Sequence, residues 1–85
     1  MESNMFDYES IKMLPNFGIK KYADSVYRGE LDDNNQRSGY GVMTYRKNRV
    51  YEGNWFNDQR DQKGYERYSN GNTYEGDFQK GKAHG

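Results

Sequence analysis

The sequence predicts an all-β protein, an elongated single-layer antiparallel β-meander of about six strands. A unit of about 23 residues recurs in register from residue 16 onward, a period typical of repeat proteins whose units stack. Apolar and polar residues alternate within each unit as they do along strands, and short polar turns separate the strands, so that sequential strands pair. The recurring positions are Gly18, Gly41 and Gly64; Tyr22, Tyr45 and Tyr68; and the pairs Tyr27-x-Gly29, Tyr51-x-Gly53 and Tyr74-x-Gly76.

Residues 1–15 lie outside the repeat. Met5, Tyr8, Ile11 and Leu14 are spaced by three, and Pro15 would end a helix. This pattern fits a short helix that covers the first edge of the sheet, and it fits a flexible terminus equally well.

The first strand of each unit carries an aromatic or apolar face and a charged face. Tyr51, Gly53 and Trp55 point one way, whereas Glu52 and Asn54 point the other way, toward solvent. The segments 27–31 and 74–78 repeat this division. A glycine in the middle of a strand weakens the strand unless another group packs against the backbone where a side chain would otherwise lie. We therefore expect an aromatic ring to lie flat on the backbone at the mid-strand glycine. This argument applies to Gly29, Gly53 and Gly76, and the recurring Gly18, Gly41 and Gly64 are predicted to be structural as well.

The companion strand of each unit begins at Gly18, Gly41 or Gly64 and runs to the next recurring tyrosine. Tight two-residue turns are predicted at residues 24–25, 47–48 and 70–71. The last of these is Asn-Gly, which is a strong hairpin signal. The polar segments 32–39 and 56–63 are predicted to be longer connections.

Composition limits the core and the classes of partner. Hydrophobic residues make up 32% of the 85 residues and mean hydropathy is −1.42, while aromatic residues reach 16%, so the core must be largely aromatic. A core this small is marginal alone, and we expect more repeats, a second copy or a protein partner. The 13 basic and 13 acidic residues balance, which argues against nucleic-acid binding. The lack of cysteine and of a long apolar run predicts an intracellular, cytoplasmic protein.

No catalytic, metal or cofactor site is predicted. His84 is the only histidine and has no nucleophile at a recognisable spacing. Gly39-x-Gly41 lacks the third glycine and the following helix of a dinucleotide site. The acidic pair at residues 32–33 lacks calcium-loop spacing.

A single-layer sheet leaves its aromatic face uncovered, and such a face marks an interaction surface. We therefore predict a groove for a partner helix or peptide, or for a second copy, lined by Tyr27, Leu31, Tyr45, Tyr51, Trp55, Tyr68, Tyr74 and Phe78. The alternative is a weak contact of the basic turn residues Arg46, Lys47 and Arg49 with anionic lipid headgroups.

Tyr-Glu-Gly-x-Trp followed by Gly-x-Gly and an aromatic residue resembles the MORN repeat (membrane occupation and recognition nexus). The resemblance covers two full repeats, 27–50 and 51–73, and half repeats at 16–26 and 74–85, so the chain is expected to be part of a longer array. Leu31 and Phe78 replace the usual tryptophan, and Asn16 and Gln62 replace the first glycine of Gly-x-Gly.

The resemblance implies a non-catalytic interaction or scaffold module. It also implies a location on the cytoskeleton, in a cilium or at a membrane face. The alternative functions that it implies are membrane or phosphoinositide association, or the accessory region of a phosphatidylinositol-4-phosphate 5-kinase-like protein. No kinase elements are present in these 85 residues.

Overall fold

A computed structural model describes residues 8–84, which form one antiparallel sheet whose strands follow the order of the sequence. This confirms the predicted all-β meander, with a seventh strand of two residues added. The elements are α1 (Tyr8–Ile11), β1 (Phe17–Lys21), β2 (Ser25–Leu31), β3 (Arg37–Tyr45), β4 (Val50–Phe56), β5 (Gln59–Arg67), β6 (Thr73–Gln79) and β7 (Lys82–Ala83). The molecule extends over 34 × 26 × 25 Å, so elongation is modest at this number of repeats.

The sheet register brings equivalent residues of successive repeats into rows. One row consists of glycines that pair across six strands: Gly18, Gly29, Gly41, Gly53, Gly64 and Gly76. The next row on the same face consists of Tyr27, Met43, Tyr51, Glu66 and Tyr74. We call this the aromatic face, because it also carries Trp55 and Phe78.

The turn predicted at Lys47-Asn48 is confirmed. Both residues have positive φ (60° and 62°), the geometry of a type I′ turn, and the Arg49 N–H donates to the Arg46 carbonyl at 3.3 Å.

The two other predicted turns are displaced by one residue. The Tyr22 N–H donates to the Ser25 carbonyl at 2.8 Å, which centres the first turn on residues 23–24. The Gly71 N–H donates to the Tyr68 carbonyl at 2.9 Å, so residues 69–70 form the turn and Gly71 follows at φ 93°. A glycine in the left-handed region after a turn is the usual three-residue hairpin loop, which explains why Gly71 lies outside the centre.

The prediction of long connections at 32–39 and 56–63 is wrong for the second half of each. β3 begins at Arg37 and β5 begins at Gln59. A turn at Asn57-Asp58 (φ 52° and 67°) connects β4 to β5. The first residues of β3 and β5 are polar and do not alternate with apolar residues, because these strand ends extend beyond the apolar part of the aromatic face. The loop at 32–36 is held by the Asp32 carboxylate, which accepts from the N–H groups of Asn34 and Gln36 at 2.8 and 2.9 Å.

The N-terminal segment contains a single turn of helix, Tyr8–Ile11, and the side chain of Ile11 is buried. Of the four residues on which the helix prediction depends, Met5 lies outside the described residues. The chain continues through a turn at 12–14 to Pro15 and enters β1.

The second sheet face, opposite the aromatic face, is not solvated throughout as predicted. Glu52 is only 2% exposed and Val42 is also buried there. The Tyr40 hydroxyl donates to Glu52 Oε2 at 3.3 Å, which gives the carboxylate one polar partner. The alternation shows which way Glu52 points, but not that neighbouring side chains cover it.

Candidate interaction surface

The rings of the aromatic face form a continuous edge-to-face chain. Trp55 lies between Tyr27 and Tyr51, with centroid distances of 5.3 and 5.2 Å and interplanar angles of 85° and 87°. Phe78 lies between Tyr51 and Tyr74 in the same manner, at 4.9 and 5.4 Å. Each such contact contributes about 0.5–1.5 kcal/mol beyond burial. Tyr27, Trp55, Tyr51, Phe78 and Tyr74 therefore form one aromatic ladder.

Each of the two buried tyrosines is held by a hydrogen bond from its hydroxyl and by packing of its ring on a glycine. The Tyr27 hydroxyl donates to the Glu30 carbonyl at 2.7 Å, and the Tyr51 hydroxyl donates to the Asn54 carbonyl at 2.9 Å. Their rings lie on Gly41 and Gly64, where an added Cβ would overlap ring atoms. The expected stacking of a ring on bare backbone is found, on the glycines of the companion strands.

The mid-strand glycines have a different role from the one predicted. A Cβ at Gly53 would lie 2.5 Å from Gly64 Cα and 2.6 Å from the Lys63 carbonyl oxygen, both backbone atoms of the next strand. Gly29 is crowded in the same way by the backbone of β3. The register shifts next to both glycines, so these residues allow a bulged strand to approach its neighbour closely.

Two arginines one repeat apart cover the ladder. The guanidinium carbon of Arg37 lies 4.5 Å from the Trp55 ring centroid, and that of Arg60 lies 5.4 Å from the centroids of both Tyr51 and Phe78. Such cation–π contacts add about 0.5–2 kcal/mol each. The sequence prediction placed both arginines in polar connections and gave neither a role. Their 23-residue spacing is the signal that marks them as part of the repeat.

Each of these arginines also binds the turn of the next hairpin. Arg37 donates from Nε to Asp58 Oδ1 at 2.7 Å and from Nη2 to the Asp58 carbonyl at 2.8 Å. Arg60 donates from Nη2 to the Gly81 carbonyl at 2.6 Å. The hydrogen bond from Arg37 holds the pKa of the Asp58 carboxyl below its usual value. The arginines thus link each repeat to the following one.

The buried carboxylate of Glu66 contacts arginines from two successive repeats. Glu66 stands in the row where β3 has Met43, and it is buried. Its two oxygens lie 3.0 Å from Arg49 Nη2 and 3.0 Å from Arg60 Nη1. The second contact is an ion pair without good hydrogen-bond geometry, since Nη1 has no hydrogen-bond partner among the described atoms. We treat it as a charge contact, because a distance of 3.0 Å in a buried site leaves the attraction strong.

Burial divides the predicted groove residues into two groups. Tyr27 and Tyr51 are 0% exposed and Trp55 is 5% exposed, and Phe78 is buried with them. The expectation that this face is uncovered is wrong for these four, because the rings cover one another and the arginines cover the ladder. They form the core of the protein, and burial raises the pKa of the Tyr27 and Tyr51 hydroxyls.

The other predicted groove residues remain accessible in part. Leu31, Tyr45, Tyr68 and Tyr74 are half-buried. Tyr22, which the groove prediction left out, is 40% exposed and lies with Tyr45 beside a surface cavity of about 310 Å³. We call Tyr22, Tyr45 and Tyr68 the tyrosine row, since they recur every 23 residues at the same end of the sheet.

Arginines hold two rings of the tyrosine row in place. The Arg37 guanidinium lies 5.3 Å from the Tyr22 centroid, and that of Arg49 lies 4.6 Å from the Tyr45 centroid. Burial raises the pKa of the Tyr45 hydroxyl, which keeps it neutral.

The basic turn that was considered for headgroup contact is partly engaged within the fold. Arg49 pairs with the buried Glu66, and Arg46 Nη2 lies 2.9 Å from Asp24 Oδ1 in an exposed ion pair. Lys47 lies in the exposed turn. Arg49 therefore has a structural role that lipid binding would have to disturb.

Within residues 8–84, no group of three or more histidine, cysteine, aspartate or glutamate side chains has the arrangement of a metal site. His84 is exposed at the end of β7. Over the same range no helix is long and apolar enough to span a membrane.

A family model for the MORN repeat matches residues 27–48, 51–73 and 74–85, about two thirds of the chain. The chain therefore belongs to the MORN-repeat family, as the resemblance indicated. A search of curated proteins found no match. The MORN repeat is a non-catalytic repeat, and a chain built from it is a repeat module of the interaction or scaffold type.

Proposed function

We propose that this MORN-repeat module binds a partner helix or extended peptide along the tyrosine row and the adjoining exposed part of Tyr74. The main support for this proposal is that the tyrosine row recurs with the repeat and is partly exposed. Two of its rings are also held in place before binding, Tyr22 by Arg37 and Tyr45 by Arg49. Tyrosines held in place before binding lose little entropy on contact and are frequent binding hot spots. Tyr45 of this row also packs against the buried core that contains the ladder rings.

The spacing of the row suggests the pattern of the partner. Tyr22, Tyr45 and Tyr68 lie at the C-terminal ends of the alternate strands β1, β3 and β5, and alternate strands lie roughly 9–10 Å apart. A helix presents side chains seven residues apart at about 10.5 Å along its axis, and a polyproline II segment, with three residues per turn, presents residues three apart on one side at about 9 Å. A partner with apolar residues at either interval would contact successive tyrosines.

The test uses a photo-crosslinking residue in place of Tyr45, in place of Tyr68, and in place of Arg67 on the second face as a control. We expect the same protein to be captured at positions 45 and 68 and not at 67. That protein, purified, should bind the chain directly in calorimetry. Tyr45→Ser should weaken binding by roughly 1–2 kcal/mol, and Tyr65→Ser, a tyrosine on the second face, should leave it unchanged.

Equal capture at all three positions, or unchanged affinity of Tyr45→Ser, would contradict the proposal. Trp55→Ala does not serve as the test, because Trp55 is part of the core and its loss would unfold the module. Binding to anionic vesicles that fades with salt and with Arg46→Glu, in place of protein capture, would favour the headgroup alternative.

A further inference from the structure

The hydroxyl groups on the aromatic face divide into two sets. Those of the ladder are bonded within the fold, since each donates to a backbone carbonyl, at 2.7 Å for Tyr27, 2.9 Å for Tyr51 and 3.0 Å for Tyr74. The hydroxyls of the tyrosine row have no hydrogen-bond partner among residues 8–84. The oxygens of Tyr45 and Tyr68 are not fully buried. The row therefore presents hydroxyl donors that the fold itself does not use.

The charges around the Tyr45 hydroxyl are mainly positive. Burial raises the pKa of this hydroxyl, so that it stays protonated and remains a donor. The side-chain charges that act on it are those of Arg60, Arg49 and Arg37, against the single carboxylate of Glu66. The Arg49 guanidinium also lies 4.6 Å from the Tyr45 ring centroid. A neutral donor thus lies where a negative charge would be stabilised.

Glu66 neutralises only part of this positive charge. Its carboxylate lies 3.0 Å from both Arg49 Nη2 and Arg60 Nη1, so one negative charge is shared between two guanidinium groups. The group of three side chains keeps one net positive charge. The Arg49 side chain is 39% exposed and that of Arg60 is 20% exposed. An anionic group that approaches Tyr45 would therefore meet Arg49 first.

The turn between β3 and β4 adds to the positive charge beside Tyr45. Lys47 is exposed there and has no ion-pair partner among residues 8–84. Arg46 pairs with Asp24 at 2.9 Å, but both side chains are largely exposed, so this pair is weak. Arg46 and Asp24 also line the cavity of about 310 Å³ beside Tyr45.

This excess of positive charge belongs to the aromatic face and not to the whole protein, because the chain has 13 basic and 13 acidic residues. In the described strands, register and alternation put four basic residues on this face with one acid. They are Lys20, Arg37, Arg49, Arg60 and the acid Glu66. The second face carries both signs, as in the ion pair of Lys63 with Asp77 at 2.7 Å.

We propose that the partner segment is acidic, an inference that rests on the partner binding proposed above. Its aspartate or glutamate side chains accept hydrogen bonds from the hydroxyls of the tyrosine row and pair with Arg49 and Lys47, while its apolar side chains cover the rings. Hydrogen bonds from a neutral donor to a carboxylate are among the stronger ones in proteins. A peptide side chain reaches the half-buried Arg49 more readily than a headgroup of a flat membrane does.

Selection from a random peptide library displayed on phage, with the 85-residue chain as target, tests the charge of the partner. The selected peptides should be richer in aspartate and glutamate than the unselected library. Selection on the Lys47→Glu variant should reduce this enrichment. Lys80→Glu is the matched control, because Lys80 is also an exposed turn residue with positive φ (52° against 60°) but lies at the other end of the sheet, between β6 and β7.

A selected peptide, synthesised, then separates the hydroxyl of Tyr45 from its ring. Tyr45→Phe keeps the ring and removes a donor that the fold does not use, so the variant should fold as the parent does. It should bind the acidic peptide about tenfold more weakly. It should bind a version of the peptide with amides in place of the acids as well as the parent chain does. Tyr65→Phe, on the second face, should change neither affinity.

The ionic part of the contact has its own readout. Lys47→Glu should weaken binding of the acidic peptide by about two- to fivefold at low salt, and the difference from the parent should shrink as salt is added. Lys80→Glu should bind the peptide as the parent does. Denaturant unfolding of each variant checks that the fold is retained.

Selected peptides that are neutral or basic, and that lose affinity for Tyr45→Ser, would overturn this inference and leave the proposed partner binding standing. Peptides whose affinity survives Tyr45→Ser would contradict the partner binding itself. Acidic peptides that bind Tyr45→Phe and Lys47→Glu as tightly as the parent would show that their acids are recognised elsewhere, which also overturns the inference. Salt-sensitive binding to phosphatidylcholine vesicles that contain phosphatidylserine, with no peptide selected, would overturn it in favour of headgroup contact.

Discussion

The ring of Tyr51 lies on Gly64 of the neighbouring strand so closely that a Cβ added at Gly64 would overlap ring atoms. Tyr27 and Gly41 repeat this contact one unit earlier. The relationship links sequence period to packing, since a tyrosine in one strand requires a glycine in the next.

Gly64→Ala should therefore be strongly destabilising. The methyl group must displace a ring that Trp55 and Phe78 hold on both sides, and overpacking of this kind costs about 1–3 kcal/mol. Gly71→Ala is the control: it has open space around it but a positive φ of 93°, so only backbone strain of about 1 kcal/mol is expected. Urea unfolding of both variants measures the difference. Equal losses would show that ring contact is not the reason for the glycine.

Gln62→Gly should stabilise the protein. Gln62 occupies the left-handed region (φ 58°) where its counterpart in the preceding repeat is Gly39. Removing that strain gains about 1–2 kcal/mol, and the added freedom of the unfolded chain offsets about 0.5–1 kcal/mol of it. Gln59→Gly, at an exposed strand position without positive φ, should lose stability instead. Thermal unfolding gives the sign, and a loss in both variants would refute the explanation.

Arg60→Met should destabilise by roughly 2–4 kcal/mol, because the buried Glu66 loses one of its two cations. The variant also loses the hydrogen bond to the Gly81 carbonyl. Adding Glu66→Gln should restore part of the loss, since the amide is neutral. Denaturant unfolding of the single and double variants tests this, and strictly additive losses would argue against the charge contact.

Glu52→Gln should stabilise at neutral pH and lose that advantage in acid. Burial raises the pKa of the Glu52 carboxyl, with the Tyr40 hydrogen bond and Arg67 opposing in part. A carboxyl whose folded pKa exceeds its unfolded pKa favours folding when protonated, and this contribution is lost as pH rises through the unfolded value to the folded one. The amide has no such penalty at neutral pH. Unfolding free energies of variant and parent across this range should converge toward low pH, and a constant difference would contradict the assignment.

Much of the fold follows from the sequence because the repeat fixes register. The spacing of Gly41 and Gly64 and of Tyr27 and Tyr51 places rings and glycines in rows before any coordinate is known. The start of β5 at Gln59 did not follow, because polar strand ends carry no alternation. Nor did the burial of Trp55 follow, since it depends on Arg37, which reaches over the ladder from a segment without an apolar pattern.

The most direct test of ring-on-glycine stacking is the NMR spectrum of the 85-residue chain. The α-protons of Gly41 and Gly64 should be displaced upfield by the rings of Tyr27 and Tyr51 and should show cross-relaxation to those rings, while Gly71 and Gly81, with open space around them, should show neither. Ordinary α-proton shifts at Gly41 and Gly64 with no contact to the tyrosine rings would contradict the account.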